Sequence, residues 1–383
     1  MKHNRKIIYL AGFLFSLSIA LASYINSSFI SSFVGEKFVS LVYVLGSLCS
    51  ILALANAPAI FRKMGGYKFL LLIILLDALS FLTLSLTQNI WYIIFAFIFG
   101  FALNTLIVFS LDEILEIFSK NSTTGKIRGV YLALGSSAWI LSQLAFGLSL
   151  GNFPLKTIYA VSFVTMILLF LLSLFGLKDT SDPKYDKINS FKYIRQFFKN
   201  KNLFRAYGLT LLLQLFYCWM VIYTPIYLSA HLGFSWKEIG FIFAIMLLPF
   251  SILPFSLGKY SDKIGERKML IFGFLIAGIA TLGLFFIQKN EIWVWALVLF
   301  LTRIGAATIE TMADTYFFKH IKPENEEFVG VYRSAPPVAY VIGPLIASIV
   351  LILVPSFNYI YLVLGILMLC GIYLASTIKK SDS

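Results

Sequence analysis

Lys63-Met64-Gly65-Gly66-Tyr67-Lys68 returns about 200 residues later as Lys263-Ile264-Gly265-Glu266-Arg267-Lys268, and each hexapeptide interrupts a long apolar run. Two further pairs keep the same shift: Asn89-Ile90-Trp91 with Glu291-Ile292-Trp293, and Gly129-Val130-Tyr131 with Gly330-Val331-Tyr332. Each pair falls at the same place in its half: after the second apolar stretch, before the fourth, and at the start of the fifth. The chain is therefore two copies of one unit. Two homologous membrane halves leave a seam between them, and secondary transporters bind and move their substrates at such seams.

The wider composition agrees. Hydrophobic residues make up 59% of the 383-residue chain and charged residues only 13%, against about 25% charged in a soluble protein. Twelve apolar stretches are long enough to cross a ~30 Å hydrocarbon core. They lie near 7–33, 38–61, 67–87, 90–118, 128–150, 156–177, 203–229, 236–257, 268–287, 292–318, 328–353 and 358–377. Lipid offers unpaired backbone groups no partner, so all twelve are predicted to be helices. The expected fold is an all-α membrane protein of twelve transmembrane helices in two pseudo-symmetric halves. Residues 1–177 form the N-terminal six-helix half, 178–202 a cytoplasmic linker, and 203–383 the C-terminal half.

The net charge of +13 raises the question of nucleic acid, but its placement excludes that role. With the N-terminus inside, 26 of the 31 Lys and Arg fall in inner segments. Outer loops hold four (Lys37, Lys156, Lys237, Lys289), and Arg303 lies within a span. This asymmetry predicts cytoplasmic termini in a plasma-membrane protein, with some attraction to anionic membrane lipids. The run after Lys2, Arg5 and Lys6 imitates a signal peptide ending near Ala22-Ser23. It pairs with the seventh span in the repeat, so it is read as a retained first span. The three cysteines (Cys49, Cys218, Cys370) all lie in spans, and His3, His231 and His320 are scattered. Neither set has metal-ligand spacing, so no metal site or cofactor is expected. The linker carries a basic, aromatic run through Phe191, Tyr193, Arg195, Phe197, Phe198 and Lys199. It reads either as a helix on the membrane surface or as a solvated connection.

Six spans, a linker and six more, together with Gly258-Lys259-Tyr260-Ser261-Asp262-Lys263-Ile264-Gly265-Glu266-Arg267-Lys268 after the eighth, resemble the major facilitator superfamily. That loop is similar to the family's motif A, marked here by Gly258, Asp262, Gly265, Arg267 and Lys268. Glu266 stands where the family usually has a base, and Arg62 stands where the first-half copy would have its aspartate. The resemblance implies alternating access, with each such loop meeting the inner end of a helix from the other half. Loop 62–68 would face Glu324, Glu326 and Glu327, while Asp262 and Glu266 would face Lys126 and Arg128, forming a latch. It also places Asp112, with its repeat partner Asp314, among the motif-A contacts. Asp112, Glu113 and Glu116 near the inner end of the fourth span are expected to pair with Arg62, Lys63 or Arg128.

Ionisable groups inside spans are costly and are functional candidates. Positions 303, 307, 310 and 314 share one helix face, which gathers Arg303, Glu310 and Asp314. Arg303 is read as an anion-binding group or as the partner of a protonatable carboxylate, Glu310. Such a carboxylate gains and releases a proton as its arginine contact is lost and made. Uncharged candidates for the solute path are Asn26, Asn104, Gln143, Gln214 and Tyr217, with Tyr24, Trp139, Tyr223 and Tyr340 behind them. A buried amide needs a partner, which singles out Gln143 and Gln214. Asp77, a lone acid in the third span, has no partner that the sequence can name. Gly343-Pro344 looks like the family's antiporter motif C, but in the eleventh span rather than the fifth. These readings lead to a monomeric, proton-coupled secondary transporter of a small organic solute rather than an enzyme. The resemblance favours efflux; proton-coupled uptake of an anionic nutrient is the alternative. A membrane-embedded transferase built on Asp112, Glu113 and Glu116 is more remote, because no nucleophile accompanies that cluster.

Overall fold

Runs of about twenty apolar residues must close every backbone hydrogen bond internally, and the chain does so as helices. The structure, a computed structural model, describes residues 2–119, 124–148, 150–178, 190–321 and 327–378. Within these, side chains are described except at 2–5, 58, 61, 62, 116–119, 124–129, 150, 190–193, 254–256, 258–263 and 327. No strand occurs among the described residues. The first six long helices are α1 (Lys2–Val34), α2 (Glu36–Met64), α3 (Gly66–Leu86), α4 (Ile90–Ser119), α5 (Thr124–Leu148) and α6 (Leu155–Gly176). A ten-residue helix, α7 (Ser190–Lys199), follows. Then come α8 (Lys201–Ile226), α9 (Trp236–Ile264), α10 (Glu266–Phe286), α11 (Ile292–His320), α12 (Glu327–Tyr332), α13 (Ala335–Leu353) and α14 (Tyr359–Ser376). Twelve segments among the described residues are long and apolar enough to span a membrane, with α12 and α13 forming one of them.

The chain divides into two compact units: Met1–Asp186 with Ser235–Phe241, and Lys187–Phe234 with Ile242–Ser383. In the first unit α1 packs on α5 and α6, and α3 packs on α4 and α6. In the second, α8 packs on α13 and α14, and α10 packs on α11 and α14. The sequence repeat is thus a repeat of packing. It extends to the joints: among the described residues, positive φ occurs at Gly35 and Gly65 (both 79°) and at their counterparts Gly233 (71°) and Gly265 (84°). A side chain would strain each of these positions, so glycine ends the first two spans of each half. Small residues also set how closely helices approach. A Cβ on Gly305 of α11 would strike the backbone of Ala277 and Gly273 on α10. Large apolar side chains such as Phe95, Phe175, Phe272 and Ile352 remain exposed, which is the surface a bilayer covers.

The prolines mark irregularities. A π-helical turn, Tyr227–His231, follows Pro225 at the end of α8. Between α12 and α13 the helix breaks at Arg333–Ser334, and Pro336 and Pro337 lie in the first turn of α13, where their missing N–H groups are tolerated. The linker's basic, aromatic run becomes α7, packed within the second unit: Phe197 is fully buried, with ring contacts to Tyr207, Phe317 and Phe328. Of the two readings of this run, a membrane-surface helix or a solvated connection with a few apolar contacts, the burial of Phe197 agrees with the apolar contacts of the second.

Candidate functional site

In the second unit α8 and α11 bring Arg303, Glu310, Phe216 and Tyr217 together. Arg303 is 2% exposed, on a stretch of α11 whose neighbouring residues Gly305, Ala306 and Ala307 are small and buried. Its guanidinium carbon lies 5.0 Å from the Phe216 ring centroid and 5.8 Å from that of Tyr217. Nη1 is buried and has no hydrogen-bond partner. The rings offset part of the desolvation of the cation, but they do not accept its N–H in place of an anion.

The expected Arg303–Glu310 ion pair is absent among the described residues. Seven residues of helix separate the two by roughly 10 Å of rise, more than the two side chains close on one face. Tyr217 stands between them instead: its ring faces Arg303, and its hydroxyl donates to Glu310 Oε2 at 2.9 Å. Phe250 of α9 packs edge-on against Tyr217 at 6.0 Å. Gln214 is half-buried one turn before Tyr217, with no hydrogen bond among the described residues.

One turn further along α11, Asp314 is held by the helix break. Tyr332, 1% exposed, donates to Asp314 Oδ1 at 2.8 Å, and its hydroxyl lies 2.5 Å from Thr210 Oγ1 of α8. Arg333 Nη2 lies 3.8 Å from Asp314 Oδ2. Phe317 stacks flat on Tyr332, with centroids 4.0 Å apart. In the first unit Tyr131 and Asp112 occupy the matching positions and lie within electrostatic reach of each other. The sequence marked both tyrosines as repeat signatures, and that spacing was the signal for the Tyr–Asp pairing, which went unread. Trp219 Nε1 of α8 donates to Gly343 O at 2.8 Å, so the glycine of the motif-C-like segment serves to join α8 to α13.

Two amides expected along the solute path bond to neighbouring helices. Gln143 Nε2 donates to Ala20 O and to Ser142 Oγ, both at 3.1 Å, tying α5 to α1. Asn26 Oδ1 accepts from the Tyr159 hydroxyl at 2.8 Å, tying α1 to α6. Tyr24 and Trp139 meet edge to face. Asn104 Oδ1 on α4 is buried and unpartnered.

Of the motif-A residues, Gly265 caps α10 with φ 84°, and Arg267 and Lys268 are exposed. Glu266, expected to face Lys126 and Arg128, is buried and ion-paired with Lys319 of α11 at 2.5 Å. A carboxylate beside α11's basic last turn explains why this chain carries Glu266 at a place the resemblance would fill with a base. The side chains of Arg62, Asp262, Lys126, Arg128, Glu116 and Glu327, with residues Glu324 and Glu326, lie outside the described set, and so does the expected latch. Gly258 also falls there.

Comparisons with known proteins agree with this architecture. The family model for the Major Facilitator Superfamily matches residues 8–245 and 219–382. Among solved structures, a mutant of the nucleoside transporter NupG aligns with TM-score 0.77 and 11% identity, covering 97% of this chain and 98% of that one. The POT family transporter PepTSo aligns with TM-score 0.79 and 10% identity, covering 97% of each chain. An auto-inhibited POT family peptide transporter aligns with TM-score 0.81 and 10% identity, covering 99% and 98%. At such identities the likeness is one of fold. No curated protein matches the chain.

Proposed function

The chain belongs to the major facilitator superfamily, and from that premise we infer that this multi-pass membrane transporter moves a small organic solute by proton-coupled alternating access. The observation that carries the reading is Tyr217, which faces Arg303 with its ring and holds Glu310 with its hydroxyl. An ionised Glu310 accepts the tyrosine hydrogen bond strongly; a protonated one accepts it weakly and becomes a donor itself. Protonation therefore frees Tyr217, and with it the ring that covers Arg303. A proton at Glu310 and access to the guanidinium at Arg303 are thereby linked through one side chain. Asp314, a turn away, and Arg333 beside it set the charge of the path toward the inner end.

The 26-to-4 distribution of basic residues supports cytoplasmic termini in the plasma membrane. Export is the proposed direction, in a monomer surrounded by lipid. The structural neighbours include a nucleoside transporter and a peptide transporter, both carriers of small organic solutes. One observation favours a second reading, uptake of an anionic solute: the unpartnered Nη1 of Arg303 is a donor suited to a carboxylate or phosphate.

The test is proton flux in proteoliposomes, comparing wild type with Glu310→Gln across small organic anions and lipophilic cations. Solute-evoked flux that disappears in the variant supports proton coupling at Glu310, and its sign reports direction. Flux of equal size in both proteins would remove Glu310 from the coupling.

A further inference from the structure

The first unit holds a buried acid that the proposed cycle does not use. Asp77 lies midway along α3, is 0% exposed, and neither carboxyl oxygen has a hydrogen-bond partner. No described residue of α2, α4 or α6, the helices packed on α3, makes a hydrogen bond or ion pair to it. The titratable side chains of α6, Tyr159 and Lys156, bond to other groups, Tyr159 to Asn26 and Lys156 to Thr87 O. The carboxyl sits against Gly100 of α4: a Cβ there would lie 3.3 Å from Asp77 Oδ1 and 3.7 Å from Ser80 Oγ. Ser80 gives its proton to Leu76 O at 3.1 Å, so its lone pairs are what it offers its surroundings. Asn104 lies one turn beyond Gly100 on the same side of α4, and its Oδ1 is likewise buried and unpartnered.

Two unpartnered carboxyl oxygens, a hydroxyl oxygen and an unpartnered amide oxygen thus line one side of the α3–α4 contact at a glycine. A bare carboxylate in that place would be one of the costliest groups in a membrane protein. One bound cation answers every orphan at once. We propose that α3 and α4 form a monovalent-cation site, for a proton or a sodium ion, at Asp77, with Ser80 Oγ and Asn104 Oδ1 as accessory oxygens and Gly100 supplying the space. A proton would sit on the carboxyl and be donated to the amide oxygen. Sodium, a hard cation, would take the same oxygens as ligands. The site is separate from the pair at Glu310 and Tyr217, so it adds a second cation to the cycle.

The probes are the cations themselves, and the protein is the purified full chain in detergent. Tm is measured in sodium chloride and in choline chloride at equal ionic strength across a pH series, for wild type, Asp77→Asn and Gly100→Ala. A cation that binds only the folded chain raises Tm. Sodium binding appears as a rise with sodium over choline at constant pH. Proton binding appears as a gap between wild type and Asp77→Asn that closes as pH falls, equally in both salts. The sodium response should vanish in Asp77→Asn, and both the sodium response and the pH-dependent gap should weaken in Gly100→Ala, where the added methyl crowds the carboxyl. Identical responses in wild type and Asp77→Asn, or no response in either, overturn the site. Should Asp77→Asn fail to fold, Asn104→Leu takes its place: a fully retained response there also overturns it.

Discussion

Replacing Arg303 by methionine separates a guanidinium that serves a ligand from one that holds the fold. Arg303 is 2% exposed, faces two rings and leaves Nη1 without a partner. An unsatisfied buried donor costs about 1–3 kcal/mol, more when charged. Each cation–ring contact returns about 0.5–2 kcal/mol. These contributions nearly cancel, so the folded chain gains little from Arg303. Methionine keeps the length, packs against Phe216 and Tyr217 through sulfur, and removes the orphan. Arg303→Met should therefore leave Tm unchanged or raise it. Transport should respond differently. A charge-assisted contact to a bound anion contributes about 1.5–3 kcal/mol, which is roughly 10- to 100-fold in affinity at 1.4 kcal/mol per decade. The assay pairs thermal unfolding in detergent with counterflow of radiolabelled organic anions in proteoliposomes. A large fall in Tm with counterflow intact would refute the reasoning, because it would identify Arg303 as one half of a buried pair whose breaking costs about 3–5 kcal/mol.

Other substitutions test neighbouring parts of the argument. Gly305→Ala drives a methyl into the backbone of α10; it should destabilise by about 1–3 kcal/mol or more through overpacking, visible as a lower Tm. Lys319→Ala should destabilise more than Glu266→Gln, because the first leaves a buried carboxylate without its partner while the second leaves a half-exposed lysine to solvent. That ordering is read by the two melting curves, and the reverse ordering would mean that Glu266 is not charged in the fold. Tyr332→Phe removes the contacts to Asp314 and Thr210 and should lower stability by about 1–3 kcal/mol. Gln143→Leu should lower Tm by about 1 kcal/mol equivalent, because its amide joins α5 to α1.

Hydrophobic run length and the spacing of repeated loop residues were enough to read twelve spans and two related halves. These properties are one-dimensional. A membrane thickness converts directly into a count of residues, and a repeat is visible wherever two copies keep the same punctuation. Gly65 and Gly265 show how far this goes: the letters recur, and the backbone recurs with them at φ 79° and 84°. The gathering of Arg303, Glu310 and Asp314 on one face of α11 was legible for the same reason, since it needs only the period of a single helix.

The partners of those residues were not legible. Arg303 was expected against Glu310 because both were visible on one helix, yet Tyr217 arrives from α8 and takes both contacts. Glu266 looked like a departure from a motif until Lys319 of α11 was found beside it. Gln143 and Asn26 carried the chemistry of ligand-binding amides, and neighbouring helices claimed them for packing. Asp77 was a lone acid in the sequence; only the approach of α4 revealed Gly100 against its carboxyl and both carboxyl oxygens without a partner. Periodicity along one helix establishes which way a side chain leaves that helix. The group it meets depends on the rotation and approach of the next helix, and close packing of small residues such as Gly305 against Gly273 and Ala277 sets both at the level of single methyl groups.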